Sequence, residues 1–395
     1  MSRLKIKKLL IIAVVFCLTF LFFSTTAVFA RAESEAEHEK KLNETVLEQL
    51  DKLDLEDLEK YVQGLEGFGE GTLAERLFAY IDGGGVGYEY FFQEIASVFF
   101  GVVKKLLPSF MAIAAIGLLC GLLNSLQSKF LGQSTAHVIF FAAYMGALIP
   151  LLGVLSECIF SSKGCVEEIK TQMELVFPLM LTLMAASGGS VSVSIFRPAV
   201  AFLSSGLVGL ISEIVFPITV VIIVFSMTGK LFGELKTEKF SAFFKSINKW
   251  IIGVGVSVFG LFFTVQGIAA ATYDGVIRRT AKYAIGTGVP IVGGFLSGGF
   301  DLAVAGSVLI KNSLGNFSLF LLVAVLFEPL ILLVSVNLLL RFTAAITQPF
   351  GDSKIAVFLE ETAENLNYCT AGLLFTAFLY FIVILLLVCS SEMFL

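Results

Sequence analysis

Histidine and charged side chains are both scarce in this chain of 395 residues. Only His38 and His137 are present, so the sequence has no metal-binding pattern and no histidine placed to activate a serine nucleophile. A glycine-rich phosphate loop ending in Lys-Ser or Lys-Thr is missing as well. Lys and Arg form no basic patch of the kind that binds nucleic acid. We therefore expect no metal, no cofactor, no nucleic-acid partner and no catalytic residues, so the chain is not predicted to be an enzyme.

Two aspartates of the chain stand in sequences close to the motifs of one enzyme class. Asp274 follows a tyrosine and Asp301 follows Gly-Gly-Phe, which resembles the paired aspartates of intramembrane aspartyl proteases, where two carboxylates share one proton. The second motif lacks a glycine directly before Asp301, and Asp274 lies close to Arg278 and Arg279. Protease chemistry is therefore the least favoured alternative.

Apolar residues dominate the composition. Hydrophobic residues make up 57% of the chain, charged residues 15%, and the mean hydropathy is +0.90, whereas globular proteins average about half apolar and about a quarter charged. Residues 31–80 hold fourteen acidic and six basic side chains, a net charge of −8 within a chain total of −5. The composition predicts an all-α polytopic membrane protein with one acidic polar segment.

Residues 1–30 have the features of a signal peptide. Basic residues precede an apolar run from Leu9 to Phe23, and Val28-Phe29-Ala30 is a small-residue cleavage site. An uncleaved first transmembrane helix is the alternative. Both interpretations place the following segment outside the cytoplasm.

Residues 31–87 are predicted to form an acidic, extracytoplasmic helical segment that ends in a glycine hinge. Leu55, Leu58 and Val62 recur at helical spacing with acidic residues around them. This apolar stripe needs a partner, and three remain open: a second helix over residues 73–81, the membrane surface, or another protein.

An aromatic interfacial helix opens residues 88–172 and leads into apolar runs of about the 20 residues that a transmembrane helix needs. Eight such runs cover residues 106–126, 136–156, 173–191, 199–229, 250–271, 288–310, 316–340 and 369–391. Three connectors, 157–172, 232–249 and 353–367, are predicted to lie as amphipathic helices on the membrane surface. The basic residues do not settle the topology, because the lysines of the second connector and the basic residues at 278–282 favour opposite arrangements.

Proline spacing indicates an internal duplication. Pro178 and Pro217 are 39 residues apart, as are Pro290 and Pro329. Each pair encloses a break rich in glycine and serine, followed by an apolar run with one glutamate. Duplicated halves with interrupted helices are typical of many transporters, in which the broken helices meet near the membrane midplane.

The two repeats are predicted to cover residues 173–285 and 286–395, and their polar positions indicate a pore or gate. One glutamate in each repeat stands near a proline that kinks the helix. A carboxyl group inside the membrane is energetically costly, so it is expected to have a functional or a pairing role. The predicted pore or gate consists of Glu213, Glu328, Gly188, Gly189, Gly293, Gly294, Gly298, Gly299 and Asp301. A structural alternative pairs the two glutamates with Arg197 or Lys311 inside the bundle.

The six cysteines are scattered, and only Cys158 and Cys165 share one polar connector. A disulfide between them requires that connector to be extracytoplasmic. Two unpaired thiols are the alternative.

A block beginning at Pro290 carries a family resemblance. Val-Pro-Ile-Val-Gly-Gly-Phe-Leu-Ser at 289–297, Val-Ala-Gly-Ser at 304–307 and Ile-Lys-Asn-Ser-Leu-Gly at 310–315 resemble the signature stretch of stage III sporulation protein AE from endospore-forming bacteria. The signal peptide, the acidic residues at 50–61 and the overall length agree, so the resemblance covers essentially the whole chain. Gly298-Gly299-Phe300 is richer in glycine than the family leads us to expect.

The resemblance implies a protein of the mother-cell membrane around the forespore, required for late forespore gene expression. It implies partners from the same operon, an ATPase and ring-forming proteins among them, and no catalytic residues. We therefore expect a membrane-embedded, permease- or channel-like component of a complex between mother cell and forespore, in contact with the lipid bilayer and able to form oligomers. An autonomous secondary transporter and a purely structural membrane anchor of that complex are the alternatives.

Overall fold

The structure is a computed structural model that describes residues 44–46, 48–50, 53, 55–63, 89–130, 133–187, 189–231, 237–261, 293–350 and 353–389. Within these ranges no strand occurs, which confirms the predicted all-α class. The helices are α1 (Glu56–Gln63), α2 (Glu89–Phe130), α3 (Gln133–Ala186), α4 (190–231), α5 (Glu238–Leu261), α6 (Gly293–Phe350) and α7 (Ser353–Cys389). The signal peptide, the glycine hinge, the predicted second acidic helix and Asp274 lie outside the described residues.

Helix α4 is irregular in its middle. It begins as an α-helix over Ser190–Ala201, passes through two π-helical turns, Phe202–Leu207 and Ile211–Val215, and continues as Phe216–Leu231. Residues Val208–Leu210 separate the two turns. Such π turns are rare, and those that occur are often found at functional sites.

Six stretches of the described residues are long and apolar enough to cross a membrane. They are Ser97–Leu122, Phe141–Ala186, Val208–Gly229, Glu238–Leu261, Ala303–Pro349 and Ile355–Cys389. The chain is therefore a helical membrane protein, but with fewer and longer helices than the eight predicted runs.

Helices α3 and α6 account for most of this difference. They contain 54 and 58 residues, which corresponds to about 81 and 87 Å. The prediction of separate spans at 136–156 and 173–191 is wrong, because both belong to α3 and the connector between them is the middle of that helix. That connector contains Glu, Lys and Gln, which favour helix, and one of its faces packs into the core through Val166 and Ile169.

The other predicted connectors also continue into their neighbouring spans. Helix α5 starts at Glu238 and α7 at Ser353, so each connector forms the first turns of a long helix. The predicted runs 288–310 and 316–340 likewise merge within α6, which starts at Gly293. In these cases polar residues make part of the helix surface polar, but the helix continues through them without a break.

The helices α2 and α3, α4 and α5, and α6 and α7 form antiparallel hairpins whose connections lie at one end of the bundle. A Cβ on Gly117 near the end of α2 would lie 2.7 Å from Thr347 Cγ2 and 3.7 Å from Ile355 Cγ2. At the same end the Tyr144 hydroxyl donates to the Met227 carbonyl at 2.8 Å. We call this the hairpin end and the opposite end, where α3 ends and α6 begins, the far end.

The α3 and α6 surfaces change along their length. Toward the hairpin end they expose the large apolar residues Val138, Phe141, Ile149, Leu152, Val334, Leu338, Phe342 and Ile346. Toward the far end they expose instead Glu167, Glu168, Thr171, Glu174, Asn316 and Glu328. Helix α5, by contrast, exposes large apolar residues from Phe240 to Leu261. The α3 and α6 pair thus has a lipid-like surface only in its half nearest the hairpin end.

The described residues between positions 44 and 63, which we call the strap, pack on the polar-surfaced half of α3 and α6. The five apolar side chains Val46, Leu50, Leu55, Leu58 and Val62 are all buried in the same core as the bundle. The partner of the predicted apolar stripe is therefore the bundle itself. The outer face of the strap is acidic, with Glu44, Glu48, Glu56 and Asp57 exposed.

Candidate functional site

The first predicted glycine break is present between α3 and α4. Gly188 lies outside the described residues, but the Gly189 N–H donates to the Met184 carbonyl at 2.9 Å, the longer bond of the Schellman motif that ends helices before glycine. The buried Ser187 hydroxyl donates to the same carbonyl at 2.9 Å. The break is therefore a tight reversal whose polar groups are satisfied.

The second predicted break is not where the glycines suggested. Gly293 and Gly294 start α6, and Gly298 and Gly299 lie within it. Asp301 follows in the same helix, and its side chain is outside the described residues. Glycine inside a helix costs only about 1 kcal/mol relative to alanine, which long-range packing of α6 outweighs. The internal duplication remains a prediction, since only one of its two expected breaks is found among the described residues.

The two predicted gate glutamates lie on the outer surface of the described bundle. Glu213 stands in the π turn Ile211–Val215, and Glu328 lies on α6 within electrostatic range of Lys105; both glutamates are exposed. Lys105 also forms an ion pair with Glu157 at 2.7 Å. A gate made by Glu213 or Glu328 would therefore stand between copies or against a partner, and not inside one chain.

Lys311 is fully buried (0% exposed), whereas Arg197 is exposed on α4. The Lys311 ammonium donates to the carbonyls of Leu387 and Val388 at 2.9 and 2.8 Å, where the last carbonyls of α7 have no partner within their helix and the helix dipole favours a cation. Lys311 and Glu328 are separated by 17 residues of α6, about 25 Å along the helix, so the structure does not contain this one of the ion pairs that the structural alternative allowed.

Cys158 and Cys165 are both buried free thiols. They lie seven residues apart on the continuous helix α3, so their backbones are separated by about 10 Å, and a disulfide needs Cα atoms within about 7 Å. Of the two possibilities that the sequence left open, the structure has the two free thiols. Cys165 Sγ donates to the Val325 carbonyl of α6 at 3.5 Å.

The sequence interpretation missed a set of buried polar side chains between α4, α5 and α7, which we call the polar seam. Its members are Thr219, Ser226, Ser241, Asn248 and Asn365. Buried polar groups inside a membrane-spanning bundle are costly unless hydrogen-bonded, and they often mark a solute or ion pathway.

The seam contains two groups of hydrogen bonds. Near the hairpin end, Asn365 Nδ2 donates to Ser226 Oγ at 3.0 Å, and that oxygen lies 3.1 Å from Ser241 Oγ. One heptad away on both α4 and α5, Asn248 Nδ2 donates to Thr219 Oγ1 at 3.0 Å. The carboxamide oxygens of Asn248 and Asn365 are buried and accept no hydrogen bond from the described residues.

The second π turn of α4 lies next to the seam and contacts two other helices. The Ser212 hydroxyl donates to the Glu167 carboxylate of α3 at 2.5 Å. A Cβ on Gly372 of α7 would lie 3.1 Å from Ile211 Cγ2, so the absence of a side chain there allows the turn to approach α7. The π turn is thus held from both sides.

One signal in the sequence could have revealed the seam. Thr219 and Ser226 are seven residues apart, and so are Ser241 and Asn248, a spacing that brings residues to one helix face. The lysines and phenylalanines around Ser241 instead pointed to a helix on the membrane surface. The polar spacing was the more informative pattern.

The known proteins that resemble this chain share one family description. The family model described as stage III sporulation protein AE matches residues 79–391. A relative from Bacillus subtilis (strain 168) named stage III sporulation protein AE is 26% identical over 308 residues, which is 78% of this chain and 75% of the relative. No solved structure matches. Because the family model covers most of its length, the chain belongs to the stage III sporulation protein AE family.

Proposed function

We propose that this chain is a membrane-embedded, permease- or channel-like component of the complex between mother cell and forespore, and that the polar seam lies on its path. Family membership supplies the sporulation setting, and the six candidate spans supply the membrane. The observation that carries the proposal is the seam itself: five buried polar residues at the contact of three apolar helices.

The seam is suited to a path because polar groups in hydrocarbon are retained where they contact water or solute. Two carboxamide oxygens there have no donor among the described residues, and the irregular α4 backbone beside them can change its hydrogen-bonding pattern. A structural anchor could use the same side chains as hydrogen bonds between its helices, so access of water to the seam is the property that distinguishes a path from an anchor.

The proposed partners are the ATPase and the ring-forming proteins of the same operon, together with the lipid bilayer. The chain would lie in the mother-cell membrane around the forespore, with the strap on the extracytoplasmic side. Because the apolar face of the strap is packed on α3 and α6, its acidic face, which includes Glu44, Glu48, Glu56 and Asp57, is the surface left for docking a ring.

Thiol accessibility tests whether the seam reaches water. In a chain freed of its native cysteines, Ser226→Cys and Ser241→Cys should react with a small, charged methanethiosulfonate reagent in membranes from sporulating cells. Val336→Cys is the control, because Val336 is fully buried on α6, which contributes no residue to the seam, and it should stay unreactive. Val224→Cys, on the exposed face of α4, controls for labelling through lipid.

Sporulation assays test the role of the seam in development. We expect Asn365→Leu to reduce the yield of heat-resistant spores and late forespore gene expression while the protein still accumulates in the membrane. Asn316→Leu, at an exposed position of α6, should leave both unchanged. Unreactive cysteines at 226 and 241 combined with normal spore yield for Asn365→Leu would favour the structural anchor.

A further inference from the structure

Asn248 and Thr219 face each other at the centre of two candidate spans. Thr219 stands in the middle of Val208–Gly229, and Asn248 in the middle of Glu238–Leu261. Both side chains are fully buried. Sites for small ions in membrane transporters lie at this depth, next to helices whose regular backbone is interrupted, and the π turn Ile211–Val215 of α4 ends four residues before Thr219.

The hydrogen bonds around Asn248 use every donor of the group. The two Nδ2 hydrogens go to Thr219 Oγ1 at 3.0 Å and to the Val215 carbonyl at 3.3 Å. The Thr219 hydroxyl hydrogen goes to the same carbonyl at 2.8 Å. Asn248 Oδ1 is buried and accepts no hydrogen bond from the described residues. Because the Val215 carbonyl already accepts two hydrogen bonds, the lone pairs left in the group are those of Asn248 Oδ1 and one on Thr219 Oγ1, both of them uncharged oxygens.

Uncharged oxygens select a particular class of ligand. Carbonyl and hydroxyl oxygens replace the hydration shell of monovalent cations in channels and transporters, whereas protein sites for divalent cations draw on carboxylates. No carboxylate takes part in the hydrogen bonds of Asn248, Thr219 and Val215. We propose that Asn248 Oδ1, together with the remaining lone pair of the Thr219 hydroxyl oxygen, binds a monovalent alkali cation beside the end of the π turn.

The second group of the seam has the same chemistry. Asn365 Oδ1 is also buried without a donor among the described residues, beside Ser226 and Ser241. One heptad, about 10 Å, separates it from the Asn248 group toward the hairpin end. This inference deepens the proposed function, because it names an ion class for the path, with the Asn365 group as a second station on it.

Thermal unfolding of the purified full chain in detergent tests the cation site. The midpoint is compared in lithium, sodium and potassium chloride and in N-methylglucamine chloride at equal ionic strength. A bound cation stabilises the folded state in proportion to the logarithm of its concentration once the site is saturated. We expect one alkali cation to raise the midpoint in this logarithmic way, and N-methylglucamine to have no such effect.

Variants assign the effect to Asn248. Asn248→Leu should remove the alkali-dependent rise, Asn248→Asp should retain or increase it because a carboxylate is a stronger cation ligand, and Asn316→Leu should match the parent. If Asn248→Leu does not fold, Thr219→Val takes its place. Identical midpoints in all four salts, or an alkali effect that Asn248→Leu or Thr219→Val retains, would overturn the cation site. Labelling of Ser226→Cys and Ser241→Cys in the same preparation would then show that the water path stands without it.

Discussion

Three helices come into contact at Gly315 of α6. A Cβ at this position would overlap Val388 of α7 and lie 3.5 Å from Met180 Cε of α3. Lys311 lies one turn earlier and holds the end of α7 through its carbonyls. The Ile-Lys-Asn-Ser-Leu-Gly sequence that carries the family resemblance is thus the contact where α3, α6 and α7 meet at the far end.

This contact gives a prediction for a single methyl group. Gly315→Ala should lower the free energy of unfolding by about 1–3 kcal/mol, the usual cost of overpacking, and the thermal midpoint in detergent measures it. Gly164→Ala is the control, because a Cβ on Gly164 of α3 would meet nothing within 4 Å, so this variant should be neutral or about 0.4–1 kcal/mol more stable. Equal midpoints for the two variants would contradict the contact.

Single residues also show where sequence interpretation stops. Lys311 stands out in an apolar run, so a special role was predictable, but its acceptors are backbone carbonyls that no side-chain pattern reveals. Asn248 and Asn365 are ordinary amides in polar stretches. Their burial depends on which face of their own helix turns inward. That face is decided by packing against α4 and not by their neighbours in sequence.

Among the elements, the strap is attached to the bundle through polar as well as apolar contacts. Gln49 Nε2 donates to the Ala303 carbonyl at 3.0 Å, and the Ser307 hydroxyl donates to Gln49 Oε1 at 3.1 Å. At its other end, Gln172 Nε2 of α3 donates to the Tyr61 hydroxyl at 3.0 Å. Burial raises the pKa of Tyr61 above its ordinary value of 10.0, with a smaller contribution from the charge of Glu168.

The Tyr61 pKa predicts that strap docking depends on pH. Because the docked tyrosine resists ionisation, its contribution is complete below pH 10 and is lost as the pH rises toward the higher pKa of the docked state. Cross-linking between Gln49→Cys and Ala303→Cys, in a chain without other cysteines, should weaken above pH 10. Tyr61→Phe cannot ionise, so its cross-linking should stay level across this range. The same decline in Tyr61→Phe would assign the effect to other groups.

Helix boundaries were predictable only where a backbone reason existed. Ser187, Gly188 and Gly189 separate α3 from α4 as expected, because this break combines flexible residues with a capping motif. Gly298 and Gly299 did not break α6, and charged residues at 157–172 did not break α3. Hydropathy detects where a helix surface becomes polar, whereas a helix continues for as long as its backbone and its buried face allow.

For the molecule as a whole, the positions of the hairpins predict the topology. Contacts of Gly117 with Thr347 and of Tyr144 with Met227 place the connections after α2, α4 and α6 at one end. Lysines are concentrated near these connections, at positions 129, 230, 236, 239 and 354, and basic residues favour the cytoplasmic side. We expect the hairpin end to face the mother-cell cytoplasm and the strap to face outward.

Reporter fusions check this arrangement. Reporters after residues 131, 234 and 351 should all indicate the cytoplasm, whereas a reporter between α3 and α4 should indicate the opposite side. Opposite signals at 131 and 351 would be incompatible with the hairpin end. The sequence alone left this open, because it shows the charge of each connector but not which connectors lie together.

The length of α3 has a consequence for the space outside the bilayer. Even at a tilt of about 40°, the largest usual for membrane helices, this helix of about 81 Å still rises about 60 Å, twice the thickness of the hydrocarbon core. If the apolar half of α3 and α6 lies in the bilayer, the polar half extends beyond it, and the acidic strap packs along that extension. A partner docked on the strap would then sit outside the bilayer, up to about 30 Å from its hydrocarbon core.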